Sequence, residues 1–157
     1  MRFRKLIALV VFISWPTLSL AADFTGKVVA VIDGDTIEVL HNQHTERIRL
    51  NGIDCPQKGQ AYGHKAKDAV ADLIFGKEVT LQTHGLDKYG RTLADVLLVD
   101  GTNVNRELVK DGRCWWYRKY APGDTVLEGL QGEARKGKYG VWSSSNPVPP
   151  WSYRKGK

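Results

Sequence analysis

From Phe24 to Leu50 aliphatic and β-branched residues crowd the chain, with Val28, Val29, Val31, Ile32, Ile37, Val39, Ile48 and Leu50 interrupted at Asp33-Gly34 and at His41-Asn42-Gln43-His44. Short apolar runs parted by turn residues predict three antiparallel strands. After Pro56 the period changes: Ala66, Ala69, Val70, Leu73 and Ile74 recur at helical spacing, and Gly76 stands where a helix stops. Two more strands are predicted over Glu78–Thr83 and Arg91–Val99, with a loop from His84 to Gly90 between them and a turn at Asp100-Gly101. A helix over about Asn103–Lys110 halts at Gly112, and another over about Asp124–Lys136 starts from Asp124 as its N-cap. Three strands, a helix, two strands and a helical C-terminal part predict an α+β, mainly β, fold: a five-stranded OB-type Greek-key barrel with about three helices.

The two ends of the chain read differently. Arg2, Arg4 and Lys5 precede an apolar run from Leu6 to Trp15, and Ser19-Leu20-Ala21 has small residues where a signal peptidase reads, so residues 1–21 read as a signal peptide. That run falls short of the roughly 20 residues of a permanent span; an uncleaved N-terminal anchor is the rival reading. Residues 22–142 then form a single domain, and 143–157, rich in Ser, Pro and basic residues around Trp151, read as a mobile or extended tail, loosely docked, with contact to nucleic acid through Trp151 and the terminal cations as the alternative. The expectation is an exported protein, periplasmic or secreted, monomeric, with no stable membrane anchor after cleavage and no protein partner implied.

Charge changes the picture little. The formal charge of +6 includes three of the 23 Lys and Arg in the leader and none of the 17 acids, so the remainder carries only about +3. Any polyanion must therefore be recognised through the placement of cations rather than their sum. His41 and His44 sit on a turn whose ordinary reading is solvated surface, as is that of Lys58, His64, Lys65 and Lys67 around the first helix. Cys55 and Cys114 both lie outside the leader, and an oxidising compartment favours a disulfide between them, with two separately buried thiols as the alternative.

Three segments carry candidate chemistry: Asp33-Gly34-Asp35-Thr36, Arg49-Leu50-Asn51-Gly52-Ile53-Asp54-Cys55-Pro56-Gln57 and Asp87-Lys88-Tyr89-Gly90-Arg91. Brought together, they supply two carboxylates for a hard cation and two guanidinium groups for a phosphate. Trp115, Trp116, Tyr89 and Tyr120 offer faces on which bases could stack, the alternative for the tryptophans being core packing. In order and spacing, these segments resemble the thermonuclease, or staphylococcal-nuclease-like, family. The likeness runs from about Val28 to Trp142 and includes the string from Asp87 to Val96, the helix around Val104–Val109 and the closing Gly140-Val141-Trp142-Ser143.

The resemblance implies an OB-fold nuclease that uses Ca²⁺ to cleave DNA and RNA, preferring single strands. Carried over to this chain, Asp35, Asp54 and the backbone carbonyl of Cys55 match the calcium ligands, and Arg49 and Arg91 match the catalytic arginines. Lys88, Tyr89 and Tyr120 fall where the family contacts the nucleotide, and Arg118 stands in place of a tyrosine. Gln57 occupies the position of the family's glutamate. A carboxamide holds a water but takes no proton near neutral pH. The competing expectation is therefore a non-catalytic OB-type module that binds single-stranded nucleic acid.

Overall fold

The computed structural model describes residues 22–156; residues 1–21, with the expected signal peptide, and Lys157 lie outside the described residues. Strands β1 (Phe24–Asp33), β2 (Thr36–His41), β3 (His44–Leu50), β5 (Glu78–Leu86) and β6 (Thr92–Leu97) close into a barrel in the order β1-β2-β3-β6-β5. All neighbours run antiparallel except β3 and β6, whose parallel pairing sets Ile48 opposite Thr92 and Arg49 opposite Leu93. Alternation along the strands turns Val28, Ile37, Val39, Ile48, Leu50, Leu81, Ala94 and Val96 into the interior, where they are fully buried. The OB-type barrel expected from the hydrophobic pattern is thus present.

Helix α1 (Gly63–Ile74) covers the barrel with Ala66, Val70 and Ile74, and the chain leaves it through Gly76, at φ +76°. Helix α2 (Val104–Lys110) is capped by Asn103, whose side chain accepts the Arg106 N–H. Helix α3 (Thr125–Lys136) is capped by Asp124, which accepts from Val126 and Leu127 as expected of that residue. Asn105 is buried on α2. It accepts the Val96 N–H at 3.1 Å and donates to the Asn51 carbonyl at 3.0 Å, tying β6 to the turn that leaves β3.

Three local expectations are revised. Strand β5 runs on through Thr83 to Leu86, absorbing Gly85 at φ +88° in an irregular register, so the loop before Arg91 is shorter than predicted. A second sheet, unforeseen, joins β4 (Ile53–Asp54) to β7 (Trp115–Trp116); strands of two residues carry no periodicity to read. The tail is not extended at its end: Pro150–Lys155 form α4, with Pro150 buried and the Trp151 ring stacked on Tyr117 at 5.2 Å and edge-on to Trp115 at 5.6 Å. A large indole at the right point outweighs the polar composition around it.

The β4–β7 pairing sets Asp54 opposite Trp115, and beside it Cys55 and Cys114 are joined in a disulfide with Cα atoms 4.2 Å apart. The bridge closes 59 residues of chain and so constrains the unfolded state. Cys114→Ala is expected to lower the unfolding free energy by about 2–4 kcal/mol. A urea titration should show the lower midpoint, and reductant should reproduce it in the parent chain but add nothing in the variant. Coincident midpoints would show that the bridge contributes no stability.

Candidate active site

The site begins with a glycine. A Cβ on Gly34 would stand 2.8 Å from the Cβ of Cys55 and 2.9 Å from that of Ala66, so the β1–β2 turn lies directly against the disulfide and α1. No other residue fits there without moving the turn. Asp33 accepts the Asp35 N–H at 3.1 Å, the bond of a turn residue to its own backbone. Asp35 reaches the next turn: its Oδ2 accepts the Cys55 N–H at 2.7 Å, while the Thr36 hydroxyl donates to Oδ1 at 3.2 Å. Gly52, at φ +73°, lets the chain reverse after β3 and enter β4, which carries Asp54.

Arg49 lies between the two acids. Its Nη2 is 3.3 Å from Asp35 Oδ2 and 3.4 Å from Asp54 Oδ1, while Nη1 donates to the Leu50 carbonyl at 2.7 Å. Both carboxylates therefore face one point, with almost no exposure to water. A second guanidinium arrives from α4: Arg154 donates from Nη2 to Asp54 Oδ2 at 2.6 Å and from Nη1 to Oδ1 at 3.1 Å. Burial pushes the Asp54 carboxyl above its ordinary range, against the hydrogen bonds from Arg154. Burial, reinforced by the charge of Asp35, pushes Asp33 up to about 6. Arg49 meets Asp35 and Asp54 and Arg154 meets Asp54, while Asp33 bonds to its own turn, and carboxyl groups gathered this closely favour a bound cation.

The opposite wall is built by the parallel seam between β3 and β6, which brings Arg91, just before β6, alongside Arg49. Arg91 is held by Asp87, which accepts its Nε–H at 2.7 Å and its backbone N–H at 2.9 Å, together with the Tyr89 N–H at 2.8 Å. Although burial opposes it, these bonds hold Asp87 below its usual pKa, led by the one from the Arg91 backbone. The Arg91 Nη1 stays near the cleft, 3.5 Å from the Thr36 hydroxyl. Lys88, Tyr89 and Tyr120 line the rim, with the two tyrosine rings 71% and 58% exposed. The cleft has a volume of about 640 Å³.

Gln57 faces this cleft, and its Nε2 donates to the Cys55 carbonyl at 2.8 Å. Its own N–H is received by Gln60, whose side-chain amide donates in turn to the Val148 carbonyl at 2.8 Å. The turn that carries Asp54 and Gln57 is thus tied to the C-terminal segment. Arg118 lies 5.9 Å from the Trp116 ring and borders a smaller groove that shares Tyr117 and Lys119 with the cleft. Trp115 and Trp116 are 4% and 7% exposed, which is the core packing set against base stacking above. Tyr117 was within a run whose aromatic and basic character was visible. Gln60 and Arg154 carried no signal, since Arg154 meets Asp54 across 100 residues of chain.

As a cation site the donors suit a hard ion: two carboxylates and a peptide carbonyl, without thiolate or imidazole. Among the described residues no three His, Cys, Asp or Glu side chains form a cage, so carbonyl and water oxygens must complete any coordination shell. Two cations aimed at a phosphate-sized space, beside buried carboxylates and exposed aromatic rings, make an arrangement fit for a phosphodiester.

Comparison with known proteins bears on the same conclusion. The family pattern described as staphylococcal nuclease homologue matches residues 47–144, more than half of the chain. An Escherichia coli O157:H7 protein named as an uncharacterized endonuclease is 49% identical over 152 residues, covering 96% of this chain and 97% of the relative. A micrococcal nuclease of Shigella flexneri is 42% identical over 157 aligned positions, covering 94% and 88%. An uncharacterized endonuclease of Haemophilus influenzae is 38% identical over 132, covering 83% and 73%. The chain accordingly belongs to the staphylococcal nuclease family and is a phosphodiester-hydrolysing enzyme.

Proposed function

We propose that this nuclease is exported and cleaves DNA and RNA in a calcium-dependent reaction, preferring single strands. The observation that carries the reading is Arg49 seated between Asp35 and Asp54, with Arg91 beside it across the barrel seam. Asp35, Asp54 and the Cys55 carbonyl would hold Ca²⁺, which would supply Lewis-acid polarisation of a phosphoryl group. The Arg49 guanidinium, on turning from the two carboxylates, takes phosphate oxygens, where negative charge builds as water attacks. Asp87 grips Arg91 by Nε and leaves its terminal nitrogens for a second phosphate oxygen and the departing 5′-oxygen.

Gln57 orients the attacking water and does not deprotonate it. Donation from Nε2 to the Cys55 carbonyl leaves the side-chain oxygen as the acceptor for a water hydrogen, and the released proton passes to solvent. The exposed rings of Tyr89 and Tyr120 support the preference for unpaired strands, since a base must leave its helix to stack on them. Lys88 beside Tyr89 adds a phosphate contact on the same rim. Export is supported by the leader composition and by the disulfide, which suits an oxidising compartment, periplasmic or extracellular.

Incubation with denatured DNA should release acid-soluble nucleotides in the presence of Ca²⁺ and stop on addition of chelator. Arg49→Ala and Arg91→Ala should each lower the rate by about 10²-fold or more. Cleavage undiminished in both variants would remove the arginines from the mechanism. Gln57→Glu should raise the initial rate at saturating Ca²⁺ by about 10²-fold or more, the ordinary contribution of a general base. An unchanged rate would place proton removal outside this position.

A further inference from the structure

Arg154 is a site cation that the proposed chemistry leaves unused, and it holds the most completely buried acid of the site. Both of its terminal nitrogens bond to Asp54, at 2.6 and 3.1 Å, in a two-pronged clasp on a carboxylate only 1% exposed. Arg49 adds a third contact to the same group at 3.4 Å. Each oxygen of Asp54 is therefore already met by a guanidinium nitrogen. A hard cation must approach such an oxygen to about 2.3–2.6 Å, a separation at which it and a guanidinium cannot share the same face of the carboxylate.

The clasp is delivered by a docked element. Helix α4 is only six residues long and is held through Pro150, the stack of Trp151 on Tyr117 and the bond from Gln60 to Val148. It contributes no strand to the barrel and meets Tyr117, Trp115 and Asp54 through side chains, so it can shift without breaking a barrel ladder. The guanidinium itself is 42% exposed, with solvent on its outer side to receive it.

We propose that Arg154 is a built-in competitor for the divalent cation: it occupies Asp54 in the metal-free enzyme and yields at least one of its bonds when the cation enters, so that α4 sets the cation affinity of the site. The inference rests on the reading of Asp35 and Asp54 as cation ligands. It makes metal affinity a property of the C-terminal segment as well as of the ligands. It also places a freed guanidinium at the cleft wall only when the cation is bound.

Calorimetric titration of Ca²⁺ into the full chain and into Arg154→Gln, both without nucleic acid, tests it. Glutamine keeps polar donors but removes the charge, and the expected result is affinity about tenfold tighter in the variant, with Arg154→Lys close to the parent. Equal or weaker binding by Arg154→Gln would overturn the inference and leave the cation reading standing, since Arg154 would then only hold Asp54 in place. Absence of Ca²⁺ binding in both chains would overturn both readings. Hydrogen exchange of the unmodified chain provides an independent check: Ca²⁺ should speed exchange in residues 150–155, and unchanged or slower exchange there would count against displacement.

Discussion

The architecture depends on a charge that the protein cannot bury alone. Asp35 and Asp54 lie in the shadow of the barrel mouth, nearly without solvent, where negative charge is held only against opposite charge. Arg49 answers both from the end of β3, and the rest of the local structure serves to keep that meeting in place. Gly34 allows the first turn to settle against the disulfide, the Cys55 N–H anchors Asp35, and β4 pairs with β7 so that Asp54 has a fixed backbone. A site whose carboxylates are short of counter-charge is already disposed to take up a cation, and a phosphate then follows the surplus positive charge of the arginines.

Much of this was legible before any coordinates. The barrel strands were readable because each side of the sheet differs in polarity, and α1 because Ala66, Val70 and Ile74 share one face. Arg49, Asp54 and Gln57 were readable as a group because they sit within one turn, and Asp35 and Arg91 because their own turns carry acidic and basic signatures. What escaped was contact between distant pieces of chain without a periodic pattern. The two-residue strands β4 and β7, the relay from Gln57 through Gln60 to Val148, and the clasp of Arg154 on Asp54 are of this kind. The tail was misread for a related reason: composition averages over a segment, whereas docking of α4 depends on single side chains, Pro150 and Trp151 above all.

Substitution of the family's glutamate by Gln57 has a structural counterpart in the same turn. The amide group gives the Cys55 carbonyl a donor, a bond a carboxylate cannot make. The side chain at this position is therefore part of the scaffold of the turn that carries Asp54, as well as a wall of the cleft. Its two roles cannot be exchanged independently, and a carboxylate here would add a further negative charge to a pocket that already holds Asp33, Asp35 and Asp54.

The parallel pairing of β3 with β6 has a consequence for how the enzyme comes apart. The two arginines stand on opposite sides of the parallel seam, one of the two that join the β5–β6 hairpin to the first three strands, Arg49 within β3 and Arg91 just ahead of β6. Their spacing is set by that seam and by no local stretch of chain. Any opening that unzips the barrel there separates the guanidinium groups at once. A partly folded chain, even one with all its antiparallel hairpins intact, leaves the two guanidinium groups apart, so the cleft is assembled only when that seam closes and is lost when it opens.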